Sequence, residues 1–600
     1  MPTSASAQVQ RYDPRPRVSL LKAWSARLPP PRAILPSPYK LAALLKLLEK
    51  FSTVPGNCSP SMALLKMPEL NTRLGTYRAY HLAAIVFISS FIAGYDSGVA
   101  GGILTYKSFE KNFGYTSSDE SRVNSLTVGL GNLGSFVAAA LFYPYTNFIG
   151  RKYAIMTAAA IFVIGIIIQT VDTHSLGAWY FARFVSGFGQ GGMSVVIPMY
   201  SAEMTPKEIR GRCGSFYQWM YTWGVFLAYW IDYGVAANPS IVGTDAEWQI
   251  PVGLQLVSGS LLFLGSFTLP ESVRWLVSKG RVDEAWKSLT WIRGDSGERT
   301  VEEFTETQLG LKAEKSATDN FSLRELWLPE NRLRFLVGPM LFGFQNTTGS
   351  SALAVFGPQY FKLLVGSSGN RDLLLTGLFG AVKVIACTFF IWVLAERFGR
   401  RSQLSGGAAL MASCMLITAM VAKFVPTQTA SGGVSSGGRA TVAMIYLDIM
   451  IYNCSWGPLP WAVAPEIFQT RIRSLGLGVS MLAHWATTFC FSYATPYMIK
   501  SIGAYTFLIF MGFDVAAAIF CFVFVRETRG KDLEKANGTE WEVIEKSLDF
   551  SSDPGKGDGE AHVAPIHAGG PGAVVDEVHH KTLGIKAAHD TFRSNLKRSS

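Results

Sequence analysis

Five ionisable residues lie inside long apolar stretches of the sequence: Asp96, Arg183, Lys383, Asp448 and Asp514. A charged side chain at the middle of a membrane helix costs about 2.5 to 3.5 kcal/mol on insertion scales, so each of the five warrants a functional hypothesis. Carboxylates in such places can take up protons, and cations can pair with them. Lys383 can contact a carboxylate-bearing ligand or pair with Asp448, and the sequence does not choose between the two. Asp514 has no motif that assigns it a role, so we expect it to be structural.

The segments that carry these residues have the length and composition of membrane-spanning helices. The chain is 49% hydrophobic and only 16% charged, whereas a soluble protein is about 25% charged. Twelve mostly apolar segments of about 20 residues lie between Tyr80 and Val525, six before and six after a charged central stretch. The sequence therefore predicts an all-α membrane protein of twelve transmembrane helices in two six-helix halves. The predicted parts are an N-terminal tail (1–79), a first half (80–270), a central loop (271–332), a second half (333–525) and a C-terminal tail (526–600).

The distribution of basic residues predicts the orientation in the membrane. An even number of spans puts both termini on one side, and the short even-numbered loops are rich in Arg and Lys, which marks that side as cytoplasmic. The formal net charge of +11 arises in these loops, so we expect a lipid bilayer and no nucleic acid as partner. The seven cysteines lack metal-site spacing, and we expect neither a metal nor another cofactor. We therefore expect a multi-pass protein of the plasma membrane.

One charged motif occurs at the same place in both halves. Gly150-Arg151-Lys152 lies between the second and third spans, and Gly399-Arg400-Arg401 lies between the eighth and ninth. Each half also has a Glu followed seven residues later by an Arg, namely Glu203 with Arg210 and Glu466 with Arg473. Glycine permits a tight turn, and the adjacent arginine can bridge to a carboxylate on a neighbouring helix end. The positive-inside rule alone explains one such loop but not a matched pair. We therefore interpret the motif as a latch, a set of arginine–carboxylate bonds that holds the cytoplasmic helix ends of each half together in one conformation.

Several further motifs resemble the sugar porter family of the major facilitator superfamily. They are Gly94-Tyr95-Asp96, Arg183-x3-Gly187-x-Gly189-x-Gly191, Pro270-Glu271-Ser272-Val273-Arg274-Trp275-Leu276, Gly457-Pro458-Leu459-Pro460-Trp461, Pro465-Glu466-Ile467-Phe468 and Glu527-Thr528-Arg529-Gly530. The resemblance spans Tyr80 to Gly530 and implies the major facilitator fold, with a central site opened alternately to each side. It also implies a gate on the cytoplasmic side, formed by Arg151, Glu203, Arg210, Glu271, Arg274, Glu396, Arg400, Glu466, Arg473 and Glu527.

Departures from the family pattern affect the two hinges unequally. Asn147 stands where the first hinge usually has aspartate, whereas Glu396 keeps an acidic residue in the second. A weaker latch in the first half follows, so that replacing Arg400 is predicted to impair function more than replacing Arg151. Val273 and Arg526 stand where proline is common.

The resemblance assigns Asp96 and Arg183 to proton coupling. Proton-coupled sugar porters use an aspartate at the position of Asp96 as proton acceptor and the arginine as its ionic partner, and facilitative relatives tend to have asparagine there. Displacement of Arg183 would then favour protonation of Asp96. A static ion pair that only joins two helices is the alternative.

The substrate-binding pattern is only partly kept. The predicted binding residues are Gln218, Gln345, Asn346, Ser351, Lys383, Trp461 and His484, and the hydroxyl-bearing tyrosines of the family's seventh span are Val355 and Phe356 here. The stretches Tyr229–Val235 and Trp248–Leu256, with Gln345-Asn346, resemble the fungal quinate-permease-like branch. Quinate is a cyclic polyol with a carboxylate, and Lys383, His484 and Arg183 could offer it positive charge.

These features predict a secondary active transporter, a symporter of protons with a sugar or quinate-like polyhydroxylated solute. The first alternative is a nutrient sensor of the same fold that does not transport, although the tail from about Arg526 has no repeated signalling motif. A membrane enzyme is a second alternative, but the sequence lacks a Ser/His/Asp set or a metal cluster. We therefore expect no enzymatic activity and no catalytic residues.

Overall fold

A computed structural model describes residues 73–171, 173–205, 207–318, 326, 328–366, 370–395, 397–427, 434–468 and 472–527. Helices make up nearly all of these ranges. In the first half they are α1 (Arg73–Ile103), α2 (Lys107–Phe113), α3 (Glu120–Ile149), α4 (Arg151–Thr170), α5 (Leu176–Met204), α6 (Lys207–Ala236), α7 (Ala246–Gly253) and α8 (Gln255–Phe267). The first five spans are α1, α3, α4, α5 and α6, and the sixth is α7 followed by α8.

The central stretch and the second half follow the same pattern. The stretch holds α9 (Val273–Ser278), α10 (Val282–Arg293) and α11 (Glu298–Thr318). The second half holds α12 (Pro329–Thr347), α13 (Ser350–Val365), α14 (Arg371–Phe389), α15 (Arg400–Phe424), α16 (Ser436–Asn453), α17 (Leu459–Ile467), α18 (Arg473–Ile502) and α19 (Thr506–Phe524). Spans seven and ten are each made of two helices, α12–α13 and α16–α17. The prediction of twelve transmembrane helices with the major facilitator fold is confirmed.

Length and apolar composition alone identify most of these spans. Seven segments of the described chain pass that test, and the last contains both α18 and α19: Arg73–Ile103, Glu120–Ile149, Arg151–Thr170, Ala246–Phe267, Arg371–Leu394, Arg400–Phe424 and Leu475–Phe524. The other four spans are α5, α6, α12–α13 and α16–α17. These four carry most of the polar residues that the sequence assigns to the site.

The two halves meet through equivalent helices. Span two of the first half, α3, packs against span five of the second half, α18, while α14 and α6 make the reciprocal pair. Helix α1 also packs against α13. This reciprocity is the arrangement expected of two repeated six-helix units.

Glycines allow close helix packing within the first half. A side chain at Gly187 in α5 would collide with the backbone carbonyl of Gly131 in α3. Small residues at membrane helix interfaces permit this approach, because van der Waals packing replaces the hydrophobic driving force there. The glycine run of α5 therefore serves packing, and it brings Arg183 next to α3.

A positive backbone dihedral marks the break in span seven. Gly349 has a φ of +80° and separates α12 from α13. A side chain added at this glycine would also collide with the ring of Phe510 in α19. The break interrupts the helix beside Asn346 and Ser351, two of the predicted binding residues.

Candidate functional site

A buried ion pair joins α1 to α5. Arg183 Nη1 lies 2.7 Å from Asp96 Oδ1, and Nη2 lies 3.3 Å from Oδ2. The side chains are only 5% and 12% exposed, respectively. Two parallel hydrogen bonds between a guanidinium and a carboxylate give strong, directional pairing. The structure thus brings together the two residues that the sequence proposes for proton coupling.

Other groups fix the Arg183 guanidinium in place. Its Nε donates to the backbone oxygen of Thr127 at 3.0 Å, and Nη1 also lies 3.5 Å from Gln169 Oε1. Gln169 in turn donates to Ser186 at 2.9 Å. Displacement of Arg183 from Asp96 must therefore disturb contacts with α3 and α4 as well, which ties the charge pair to the packing of the half.

The broken span seven positions three of the predicted binding residues. Gln345 Nε2 donates to the backbone oxygens of Trp456 at 3.0 Å and Gly457 at 2.9 Å. Its buried Oε1 has no hydrogen-bond partner in the described part of the chain. Ser351 donates to Asn346 Oδ1 at 3.2 Å. The amides are thereby oriented, and Gln345 keeps one acceptor for another donor.

Aromatic rings surround His484. Its Nδ1 lies 2.9 Å from Asn346 Nδ2, so the ring nitrogen accepts a hydrogen bond from the amide. The rings of Phe342 and Trp461 each lie 5.7 Å from the imidazole, edge-on, and Trp485 lies 5.3 Å away. The structure therefore places His484 in a packed, hydrogen-bonded setting beside Trp461.

The amide of Gln218 in α6 faces the second half. A methyl group added at Gly457 would lie 3.5 Å from Gln218 Nε2. Because Gly457 also accepts from Gln345, the two predicted glutamines approach the same backbone turn between α16 and α17. Tyr217 packs at a tilt against Trp461, with ring centroids 6.1 Å apart. These contacts bring binding residues of both halves together.

Tyr221 is a central residue that the sequence analysis missed. Its ring lies 5.4 Å from the Lys383 ammonium, and its hydroxyl lies beside Ser97 and within electrostatic reach of Asp96. The sequence could have identified Tyr221 by its spacing, because it lies one helical turn beyond Gln218 and on the same helix face. Tyr221 therefore connects the charge pair to Lys383.

The first-half hinge joins three helix ends. Arg151 Nε and Nη2 each lie 3.1 Å from Glu203 oxygens. Glu271 accepts hydrogen bonds from the backbone nitrogens of Arg151 at 2.8 Å and Lys152 at 3.1 Å, at the N-terminus of α4. Burial raises the pKa of Glu271, and the backbone donors and Arg151 oppose that rise. A carboxylate at a helix N-terminus satisfies otherwise unpaired N–H groups and the helix dipole.

The second-half hinge repeats this arrangement. Glu527 accepts from the backbone nitrogens of Arg400 at 2.8 Å and Arg401 at 3.2 Å, at the N-terminus of α15. Arg400 Nη2 lies 3.8 Å from Glu466. The carboxylate that follows the last span of each half therefore caps the helix of the third span of that half, α4 or α15.

The arginine–glutamate pair is closer and more buried in the first hinge than in the second, although the sequence predicts a weaker first hinge. The Arg151–Glu203 pair is bidentate with both side chains 10% exposed, whereas Arg400 and Glu466 are 22% and 26% exposed and farther apart. Asn147 contributes its backbone oxygen, which accepts from Trp275 Nε1 at 3.1 Å, so loss of an acidic side chain there leaves the first hinge intact.

The remaining gate residues are placed as follows. Arg473 Nε donates to the backbone oxygen of Phe468 at 3.3 Å, and exposed Arg274 lies within electrostatic reach of Arg473. The side chain of Arg210 and all of Glu396 lie outside the described residues.

Two further buried acids belong to the second half. Asp448 Oδ2 lies 3.5 Å from the Ser350 hydroxyl, and both oxygens of Asp514 have no hydrogen-bond partner in the described part of the chain. No ion pair between Asp448 and Lys383 occurs. Among the described residues, no group of three or more His, Cys, Asp or Glu is placed to hold a metal ion, and the absence of a cofactor stays a prediction.

Comparison with known proteins gives a consistent set of relatives. The family described as "Sugar (and other) transporter" matches residues 82–539. A quinate permease of Emericella nidulans is 32% identical over 468 residues, which cover 76% of this chain and 87% of that protein. A quinate permease of Neurospora africana is 31% identical, with 76% and 88% covered.

Solved structures share the fold at lower identity. The proton:xylose symporter XylE bound to 6-bromo-6-deoxy-D-glucose has a TM-score of 0.63 and 24% identity, covering 78% of this chain and 99% of that one. The inward-open xylose transporter XylE from E. coli has a TM-score of 0.62, with the same identity and coverage. At this level of identity the likeness concerns the fold alone.

Proposed function

This chain belongs to the sugar transporter family and is similar to fungal quinate permeases, and from that premise we propose that it is a proton symporter. Its substrate is a sugar or quinate-like polyhydroxylated solute, which it moves across a membrane by alternating access. The observation that carries the proposal is the buried, bidentate Asp96–Arg183 pair between α1 and α5. Such a pair is costly inside a membrane and is retained where charge movement serves function.

Proton uptake at Asp96 would be controlled by the position of Arg183. In the structure the guanidinium donates to both carboxylate oxygens. When the arginine withdraws, the carboxylate loses its counter-charge and binds a proton at Oδ1 or Oδ2. Because Arg183 also contacts α3 and α4, that withdrawal changes helix packing. Proton binding and helix rearrangement are then one event.

The contacts between halves support alternating access. On the membrane side away from the hinges, Lys500 Nζ donates to the backbone oxygen of Ser118 at 3.0 Å, and Asn370 Nδ2 donates to that of Ala236 at 2.7 Å. These bonds connect the halves near the helix ends and must break for that side to open. The hinge bonds, by contrast, join helices within one half, so each half can rock as a unit.

The substrate would bind where the halves meet. Gln218, Gln345 and Asn346 offer amide donors and acceptors for hydroxyl groups, and Trp461 offers an apolar wall with one donor. His484 lies behind Asn346 and orients it. This polar set suits a ring that carries several hydroxyls. The relatives named as quinate permeases favour a quinate-like ring.

We place the hinge side and both termini in the cytoplasm of a plasma-membrane protein, on the basis of the positive-inside rule. A single cysteine at exposed Ser240, in a background with all seven native cysteines replaced by Ser, should react with an impermeant maleimide on intact cells. A cysteine at Ser278, in α9, should react only after permeabilisation. The reverse pattern would invert the topology.

The coupling role is tested with purified protein in proteoliposomes. Asp96→Asn should abolish uphill uptake of quinate or a hexose driven by an imposed proton gradient, while solute exchange at equal pH continues. Asp119→Asn, which changes an exposed aspartate at the start of α3, is the matched control and should behave as the unmodified protein.

The same assay distinguishes the alternatives. Undiminished uphill uptake in Asp96→Asn would show that the Asp96–Arg183 pair only joins two helices and does not couple transport to protons. Binding of a solute by the unmodified protein, without gradient-driven uptake or exchange, would favour the nutrient sensor.

A further inference from the structure

Lys383 is a buried cation without an anionic partner in the described part of the chain. Its side chain belongs to α14, the residue is only 2% exposed, and no hydrogen bond or ion pair links it to another described residue. The nearest favourable contacts are two aromatic faces, Tyr221 at 5.4 Å and Phe379 at 5.9 Å from the ammonium. The protein thus holds a positive charge between α14 and α6 and offsets it only through ring faces.

Asp96 and Asp448, two buried acids of the membrane region, contact groups other than Lys383. Both oxygens of Asp96 are bound to Arg183, and Asp448 faces Ser350. Ring faces attract a cation less than a carboxylate does, and they do not replace the hydration that the ammonium loses on burial. A mid-membrane lysine in this state lacks an anionic counter-charge, and a bound anion would supply one.

The position of Lys383 connects it to the proposed substrate site. Tyr221, which packs on its ammonium, lies one helical turn from Gln218 and beside the Asp96 region. Tyr221 also lies within electrostatic reach of Tyr452, whose hydroxyl is close to Ser351. Through Tyr221, the cation is therefore linked to polar residues of spans one, five, seven and ten.

We propose that Lys383 binds the carboxylate of the substrate and so selects acidic polyols over neutral sugars. The inference rests on the proposed function and sharpens its substrate class. The hydroxyl-bearing ring would contact Gln218, Gln345 and Asn346, and the carboxylate would lie against the ammonium. No covalent step is involved, because the anion supplies the missing half of an ion pair.

The test compares a charged solute with its uncharged analogue. Purified full-length protein in detergent is titrated with quinate and with the carboxamide of quinate, and binding is followed by calorimetry, which does not depend on transport. We expect quinate to bind the unmodified protein at least tenfold more tightly than the carboxamide. Lys383→Gln should weaken quinate binding by ten- to a hundredfold and leave the carboxamide within threefold. Lys383→Arg should retain most of the preference.

The matched control is Lys423→Gln. Lys423 belongs to α15 in the same half, and its ammonium also lies over an aromatic ring, Tyr505 at 5.1 Å, but near the membrane edge. This variant should bind both solutes as the unmodified protein does. Carboxamide binding in Lys383→Gln reports that the variant is folded.

Two results would overturn the proposal. The first is an equal loss of affinity for both solutes in Lys383→Gln, which indicates a structural lysine. The second is the absence of any preference for quinate in the unmodified protein. Either can occur while gradient-driven hexose uptake persists, so the proposed transport function and this inference can fail separately.

Discussion

At the residue scale, polar side chains in the centre of the protein are held by partners that only a few residue types could replace. His484 accepts from Asn346 Nδ2 while its ring packs among Phe342 and Trp461. Removal of one member of a buried hydrogen bond leaves the other unsatisfied, which costs about 1–3 kcal/mol. We therefore propose that His484 orients Asn346, and through it Ser351.

This role predicts different effects for two substitutions of His484. His484→Leu keeps an apolar contact with the rings but removes the acceptor, so solute binding should weaken roughly tenfold, the equivalent of about 1.4 kcal/mol. His484→Asn restores an acceptor and should stay within threefold of the unmodified protein. Calorimetric titration with quinate or a hexose measures both. Equal losses in the two variants would show that the imidazole itself contacts the solute.

At the scale of elements, each hinge connects the start of one helix to the ends of two others. Glu271 and Glu527 cap α4 and α15, and Arg151 and Arg400 reach towards Glu203 and Glu466. The caps are alike, but the arginine pairs are not, since the first is shorter and more buried. A buried bidentate pair loses more on truncation than a longer, more exposed one.

The geometry favours the opposite order of importance for the two arginines from the one predicted from the sequence. Arg151→Ala should lower the rate of proton-driven uptake about tenfold more than Arg400→Ala, because it leaves Glu203 buried without its bidentate partner. Rates are compared in proteoliposomes at matched protein density. Arg281→Ala, which removes an exposed arginine that pairs with Glu284, is the control and should change little. A larger loss in Arg400→Ala would restore the sequence-based ranking.

At the scale of the whole molecule, the two halves meet in reciprocal helix pairs, α3 with α18 and α14 with α6. The hydrogen bonds Lys500–Ser118 and Asn370–Ala236 connect them on the side away from the hinges. Both bonds lie near helix ends, outside the apolar contacts of the paired helices, such as Tyr229 with Phe379. Rocking of the halves requires these bonds to break in each cycle.

A cross-link between the halves should therefore stop transport. With Ala236→Cys and Asn370→Cys combined in a background with all seven native cysteines replaced by Ser, a short bifunctional maleimide should abolish uptake and exchange. Each single-cysteine variant treated in the same way should remain active. Thr116→Cys with Ser118→Cys is the control, because these neighbouring positions lie in one loop of one half. Continued exchange in the cross-linked protein would exclude rocking at this interface.

Much of the fold could be predicted from the sequence because its determinants are local. Apolar length identifies spans, and the repeated Gly-Arg-basic motif identifies two equivalent halves. Interrupted or polar spans are harder to delimit, as α12–α13 and α16–α17 illustrate, because Gly349 and Gly457 divide them and their polar residues lower the apolar signal. Their existence was nevertheless evident from motifs that run through them.

The sequence by itself determined the twelve spans, their division into halves and the residue types available for chemistry, because periodicity and composition report what each segment buries. Only the tertiary structure decided which of those residues meet. Tyr221 against Lys383, and Gln218 and Gln345 at one backbone turn, depend on how helices far apart in the chain rotate and pack. The geometry of the two hinges depends on packing in the same way, because the distance and burial of an ion pair are encoded by no motif.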